Sequence, residues 1–483
     1  MTTASASATV SSGHLRGTTA DGVARFLGVP YAAAPFGALR FAEPRPHAGW
    51  DGDRDATHNG ATAPQNPYGG GLERLLPTVR ISGDEILTAN IWAPAERIDG
   101  GAPVLVWIHG GSLSHGSNAL PMYDGARFAR DGIVFVALNY RLGVEGFTVL
   151  DDAPANLGLA DVAHGLQWVH DEIAAFGGDP ARITVAGQSA GGALVSALLG
   201  HPTARHLMRR AVLQSAPLGA ADRDKAGRLT RLIASRLGIG TTRAEFAGQG
   251  RETLLAALRA VTGKATPLAG GPGFDLVVDE GTVPAPPVDA LSRGTANGVE
   301  LLIGTTRDEH RLWMVPTGLA DRIGRIHLTL ARLKAGVSRR VVSRYQANRR
   351  GSKPSDVLGA VVIDMLLRRP LVRVADARSR RGATTWVYEF TWPSPVDGLG
   401  AAHGVELGFV FDLLDVPDYR AMNGPDAPQA LANEMHGVWV SFVRGDDPGW
   451  PAWDERRQVR IFGPEPGRVE PLPRADEIDV WDR

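Results

Sequence analysis

Ser189 stands between Gly187 and Gly191 in VAGQSAGG (185–192), where the apolar run ITVA gives way to AGGALVSALLG. A strand that turns abruptly into a helix presents the turn residue at the C-terminal edge of a sheet, and flanking glycines let strand and helix pack closely. A serine there can serve as a nucleophile. The N–H of Ala190 and the positive end of the helix would face a negative charge forming near its oxygen. The same pattern also suits a helix N-cap serine between turn glycines, so the chemistry has to be completed elsewhere. An unperturbed hydroxyl needs a base, an acid that orients the base, and donors for an oxyanion. HGGSLSHG (109–116) is a glycine-rich turn after VLVWI whose main-chain N–H groups could meet a carbonyl oxygen. TTRDEHRLW (305–313) carries Asp308 and Glu309 just beyond ELLIG, and GLGAAHGVELGFVF (398–411) places His403 ahead of a helical run. Serine, acid and histidine follow in that order, with either Asp308 or Glu309 as the acid.

Such residues, far apart in sequence, meet only if strands feed helices. The runs VLVWI (104–108), IVFVAL (133–138), ITVA (183–186), AVLQ (211–214), ELLIG (300–304) and TWVYEF (385–390) are continuous rather than alternating. Strands covered on both faces read this way. Helical stretches such as LADVAHGLQWVHDEIAAF (159–176) lie between them, which predicts an α/β fold with a mostly parallel sheet. Two helical blocks, about 220–262 and 318–381, read as insertions on a single core spanning 1–483, since no long Pro/Gly/Ser linker divides the chain. Arg339, Arg340, Arg344, Arg349 and Arg350 interleave with Val341, Val342 and Tyr345, the pattern of a solvated helix face rather than of a nucleic-acid patch.

Composition narrows the chemistry. With 43% hydrophobic and 21% charged residues the chain reads as a folded globular protein, and a net charge of −1 gives no pull toward nucleic acid or an anionic membrane. There is no cysteine, which excludes disulfides, thiolate metal sites and thiol nucleophiles. The N-terminus MTTASASATVSSGHLRG lacks the apolar core of a secretory signal, and no segment reaches the length of a membrane span, so a cytoplasmic home is expected. Nucleotide-binding and zinc motifs are missing, and no metal or organic cofactor is expected.

Taken together, FLGVPYAAAPFGALRFAEPRP (26–46), NYRLGVEGF (139–147), FGGDPARITVAGQSAGG (176–192), RAVLQSA (210–216), GTTRDE (304–309), AAHGVELGFVF (401–411) and GDDPGWPAW (445–453) resemble the type-B carboxylesterases, the carboxylesterase/cholinesterase family of α/β-hydrolases. The likeness extends over nearly the entire chain and is nearest to bacterial para-nitrobenzyl-esterase-like members. It implies a triad of Ser189, Glu309 and His403, with Glu309 rather than Asp308 as the acid. It also implies an oxyanion hole in the turn Gly110, Gly111, Ser112, with Ala190 as the donor next to the nucleophile, and polar support for the histidine from Ser215 and Glu406.

Several positions depart from the family pattern. Ser112 replaces a third glycine, which predicts a narrower acyl space, and Leu113 replaces a Phe that would wall it. Gln188 precedes the serine where Glu is common, and its side chain is not expected to touch the chemistry. His310 follows the acid where Gly is common and is expected at the surface. Ile86 and Ala63 stand where many relatives have a cysteine pair, which suits a reducing compartment. The reading is a serine hydrolase of small carboxylic esters, acting through an acyl-enzyme. A catalytically silent hydrolase-fold binding protein would be expected to have lost a triad member. An interfacial lipase would favour an apolar lid, against which the Arg-rich insertions speak. Carbamates, amides and short acylglycerols are not separated from other esters.

Overall fold

The structure, a computed structural model, describes residues 4–263 and 273–482. Among these, thirteen strands build one sheet: β1 Ala4–Val10, β2 Gly13–Ala20, β3 Val23–Pro30, β4 Asp53–Asp55, β5 Thr88–Pro94, β6 Ala102–Ile108, β7 Val134–Leu138, β8 Gly178–Gln188, β9 Arg210–Gln214, β10 Glu300–Thr306, β11 Thr385–Phe390, β12 Gln458–Phe462 and β13 Arg468–Pro471. Their order is β1-β2-β3-β5-β7-β6-β8-β9-β10-β11-β12-β13, with β4 beside β2. From β7 to β12 every pairing is parallel, while the outer strands pair antiparallel except for the short β4, which runs parallel to β2.

The unbroken apolar runs have a direct cause. In β6, Val104, Val106 and Ile108 belong to the core on one side of the sheet, and Leu105 and Trp107 to the core on the other. Both faces are covered, so both alternate sets of side chains must be apolar. The edge strands obey a different rule. In β1, ASASATV, only Ala8 and Val10 are buried, and pairing with β2 is carried by main-chain bonds that any residue can make. The polar N-terminal stretch is therefore a strand from Ala4 onward, and its first three residues lie outside the described residues.

Helix Leu157–Glu172 and a following turn of 3-10 helix cover the 159–176 stretch. Helices Arg223–Ala226, Arg228–Leu237, Arg243–Ala247 and Arg251–Thr262 occupy the first expected insertion. Within the second block lie Leu319–Arg322, Arg325–Lys334, Arg339–Asn348, Pro354–Ile363 and Arg369–Ser379, the last two joined by a π-helical turn. In Arg339–Asn348 the residues Val341, Val342 and Tyr345 face a small core while Arg339, Arg340 and Arg344 are exposed. Arg344 pairs with half-exposed Asp476, as a solvated face should, whereas Arg349 turns inward to the fully buried Glu477. Ile86 and Ala63 are both buried in the larger core, as apolar residues rather than as a cross-link.

Two buried ion pairs tie the N-terminal third to the parallel sheet. Arg141 grips Asp161 through Nε and Nη2 at 2.8 and 2.6 Å and donates to the Ala42 carbonyl at 2.7 Å. Arg40 holds Glu145 at 3.0 and 2.5 Å. With every charge in a fork-to-carboxylate bond, removing either partner would strand the other in the core.

Candidate active site

Ser189 joins β8 to helix Ala190–Gly200 with φ 56° and ψ −124°, a conformation that side-chain-bearing residues avoid and that costs on the order of 1–3 kcal/mol. The surroundings impose it. The Ser189 N–H donates to the Gln214 carbonyl at 2.9 Å, and its own carbonyl accepts from the Ala193 N–H at 2.9 Å. A Cβ on Gly191 would lie 2.0 Å from the Ile108 carbonyl oxygen, so only glycine lets the helix start this close to the end of β6. Ala190 is the first helical residue, and its N–H has no carbonyl one turn back to bond.

The turn after β6 lies against the serine: a Cβ on Gly110 would be 3.2 Å from Ser189 Cβ. Gly111 takes φ 118°, and Ser112 and Leu113 follow at 54° and 59°, so two side-chain-bearing residues in succession adopt left-handed conformations. Ser112 is exposed and Leu113 is buried in the main core. Several groups that the sequence did not single out hold this turn. His109 Nδ1–H donates to the Gly110 carbonyl at 2.9 Å while its ring stacks on Tyr140 at 4.5 Å. The Tyr140 hydroxyl donates to the His109 carbonyl at 2.8 Å, and Gln65 makes two 2.9 Å bonds to the main chain of Gly116. Burial pushes His109 and His115 down to about 4, so both rings are neutral near pH 7.

Glu309 and His403 come from the loops after β10 and β11. Glu309 Oε2 accepts from His403 Nδ1 at 2.5 Å, and its Oε1 accepts from Ser215 Oγ at 2.6 Å and from the Thr306 N–H at 2.8 Å. Glu309 is fully buried, so three donors converge on a carboxylate that water does not reach. Asp308 has a different task. Its N–H donates to the Ala401 carbonyl at 2.8 Å, and its Oδ2 accepts from the Ala401 N–H at 3.1 Å. With the His403 N–H to Glu309 carbonyl bond at 3.4 Å, the two loops are closed onto each other. Trp313 packs its indole on the imidazole with centroids 4.7 Å apart. Ser215, at φ 47°, reaches the acid directly rather than the histidine.

Glu406 is buried beside this pair. Burial, reinforced by the charge of Glu309, pushes its carboxyl up to about 7, and one of its oxygens has no hydrogen-bond partner. Gln214 approaches the other at 3.5 Å.

Two expectations are corrected here. Gln188 does touch the centre: its amide nitrogen lies 3.0 Å from His403 Nε2. That amide faces the ring nitrogen opposite the one bonded to Glu309. Ser189 Oγ makes no side-chain hydrogen bond among the described residues, and Gln188 occupies the ring nitrogen that a serine would use. The elbow turns the residue before the serine toward the histidine loop, which spacing alone does not disclose. His310 is buried rather than at the surface, because its ring lies against Gly359 of the helix Pro354–Ile363, with Asp356 at 3.6 Å from Nε2. Without a side chain at 359 the helix closes over the histidine.

Among the described residues no group of three or more His, Asp or Glu is arranged to hold a metal ion, and no helix is long and apolar enough to cross a membrane.

The model of the carboxylesterase family matches residues 4–472. Phenmedipham hydrolase of Pseudarthrobacter oxydans is 37% identical to this chain, covering 97% of each. Para-nitrobenzyl esterase of Bacillus subtilis is 33% identical, covering 94% of each. The solved carboxylesterase of Geobacillus stearothermophilus superposes with a TM-score of 0.88 at 34% identity, over 98% of this chain and 99% of its own. Matched almost end to end in family, sequence and structure, the chain belongs to the carboxylesterase family and is a carboxylic ester hydrolase of the α/β-hydrolase fold.

Proposed function

We propose that the chain hydrolyses small neutral carboxylic esters in two steps, through an acyl-enzyme on Ser189. His403 takes the hydroxyl proton as Ser189 attacks the ester carbonyl, and Glu309 orients the ring and stabilises its charged form. The tetrahedral oxyanion is received by main-chain N–H groups of Gly111, Ser112 and Ala190, in a turn that begins at Gly110. The imidazolium then gives its proton to the departing alcohol, and a water activated by the same nitrogen releases the acid. The observation that carries this reading is the buried Glu309–His403 pair next to the strained Ser189 turn. Family membership and the names of the relatives support an ester as substrate. A fluorophosphonate probe should add its mass to the peptide containing Ser189; labelling of another residue, or none, refutes the nucleophile.

Gln188 bears on this reaction through charge. Its amide carries no charge, whereas a carboxylate at the same place would favour the imidazolium. Protonation of the ring stops the reaction, so the acid limb of activity marks the pH at which the ring loses its proton. Gln188→Glu should therefore shift the acid limb of the kcat/KM profile upward by about one pH unit, leaving the rate at high pH least affected. A superimposable profile for p-nitrophenyl acetate would mean that Gln188 has no electrostatic hold on the base.

Ser112 bears on acyl size. Glycine at this left-handed position removes both the side chain and the backbone strain. With Ser112→Gly the preference for p-nitrophenyl hexanoate over acetate should rise by about tenfold, the order of effect of a methylene-sized change in a pocket. An unchanged ratio would remove Ser112 from the acyl wall.

A further inference from the structure

Seven large apolar side chains are exposed among the described residues, and three of them sit on the ten-residue helix Arg325–Lys334: Ile326 at 75%, Leu330 at 59% and Leu333 at 59%. The spacing i, i+4, i+7 puts them on one face. The only buried residue of this helix is Leu328, on the opposite side, which packs in the small core with Val341, Tyr345 and Val357. The helix is thus anchored by its back and leaves an apolar front uncovered. Around that front the chain is strongly basic. Residues 319–350 contain nine Lys and Arg and one acid, Asp321. Arg344 and Arg349 of this block are paired with Asp476 and Glu477, and Asp321 is paired with Lys353 at 2.8 Å, so seven of the nine cations have no carboxylate partner among the described residues. The whole-chain charge of −1 conceals this block by averaging over it.

We propose that helix Arg325–Lys334 docks the enzyme onto an anionic lipid surface. An apolar stripe rimmed by Arg and Lys is the form that lies in a bilayer interface, with the stripe among acyl chains and the cations among anionic headgroups. Charge decides against a second copy of this chain as the occupant. Two-fold pairing would bring the basic block against itself, and three side chains fall short of the roughly 800 Å² per partner that a stable interface covers. The helix follows closely in sequence the segment whose Trp313 packs on His403, so docking would bring the membrane near the chain that frames the site. Esters carried by lipid would then reach it by lateral supply.

Co-sedimentation of the full chain with vesicles tests this. Binding to vesicles of equal parts phosphatidylglycerol and phosphatidylcholine should exceed binding to phosphatidylcholine alone by about tenfold or more and fall as salt is raised. Ile326→Ser/Leu330→Ser/Leu333→Ser should lose about tenfold in binding, as should Arg325→Glu/Lys334→Glu, both retaining wild-type turnover of soluble p-nitrophenyl acetate. Equal pelleting with neutral and anionic vesicles, or unchanged pelleting of the apolar variant, overturns the proposal. A dimer in light scattering that the apolar variant dissolves would overturn it in favour of self-association.

Discussion

Alanine at position 189 is expected to lower kcat for p-nitrophenyl acetate by about 10⁴- to 10⁶-fold while the protein stays folded. The fold should tolerate the change because the strain at this residue is in the main chain, and alanine meets the same φ of 56° that serine does. Its N–H bond to Gln214 and its carbonyl bond from Ala193 do not involve the hydroxyl. What is lost is the attacking oxygen. The oxyanion donors are left intact, so a residual rate above the uncatalysed one should persist. Adding His403→Ala to Ser189→Ala should cost little more, since residues acting as one unit do not sum their losses. Steady-state kinetics on the three proteins, with circular dichroism to show that they fold, provide the check. A single variant keeping a tenth of the wild-type rate would assign the nucleophile elsewhere.

Glu309→Gln is expected to be nearly as severe, at about 10³- to 10⁴-fold in kcat, whereas Asp308→Asn should stay within about threefold. The difference lies in what each carboxylate receives. Glu309 accepts from His403 Nδ1, Ser215 Oγ and the Thr306 N–H, all in a site without solvent. An amide there turns one acceptor into a donor. With its NH2 toward Nδ1 the ring loses the tautomer that exposes the Nε2 lone pair, and with its NH2 on the other side it meets the Thr306 N–H donor against donor. Asp308 Oδ2 accepts from the Ala401 N–H at 3.1 Å and from the exposed Arg307 guanidinium at 3.2 Å, and an asparagine carbonyl can accept from the same donors. If Asp308→Asn abolishes turnover while Glu309→Gln preserves it, the acid has been assigned to the wrong residue.

The residues of the site and the elements that carry them differ in how far the sequence discloses them. The strands β6 to β11 are readable because two apolar cores make long unbroken stretches of them apolar, as Leu105 and Val106 in β6 illustrate from opposite faces. Strands β1 and β2 are not, since Ser5, Ser7 and Arg16 face outward and a sheet edge asks little of side chains. Ser189 and Glu309 stand at or just past strand ends and His403 in the long loop after β11, all within recognisable blocks. Gln188 and His310 adjoin them yet were misplaced. The direction of the first depends on the elbow, and the burial of the second on Gly359, which lies on a helix that packs back only in the folded chain. The apolar front of Arg325–Lys334 is not legible either, because only the folded chain shows that Leu328 alone is buried.

The closure of the β10 and β11 loops through Asp308, Ala401 and the His403 main chain gives acid and base a common chassis. Bonded through both side chain and main chain, the two loops carry acid and base as one body, so a displacement of either loop takes the other with it. Transplanting this chemistry onto another scaffold would therefore mean moving the loops as a matched set. The serine elbow would have to come with the β6 end and the β9 carbonyl that hold it.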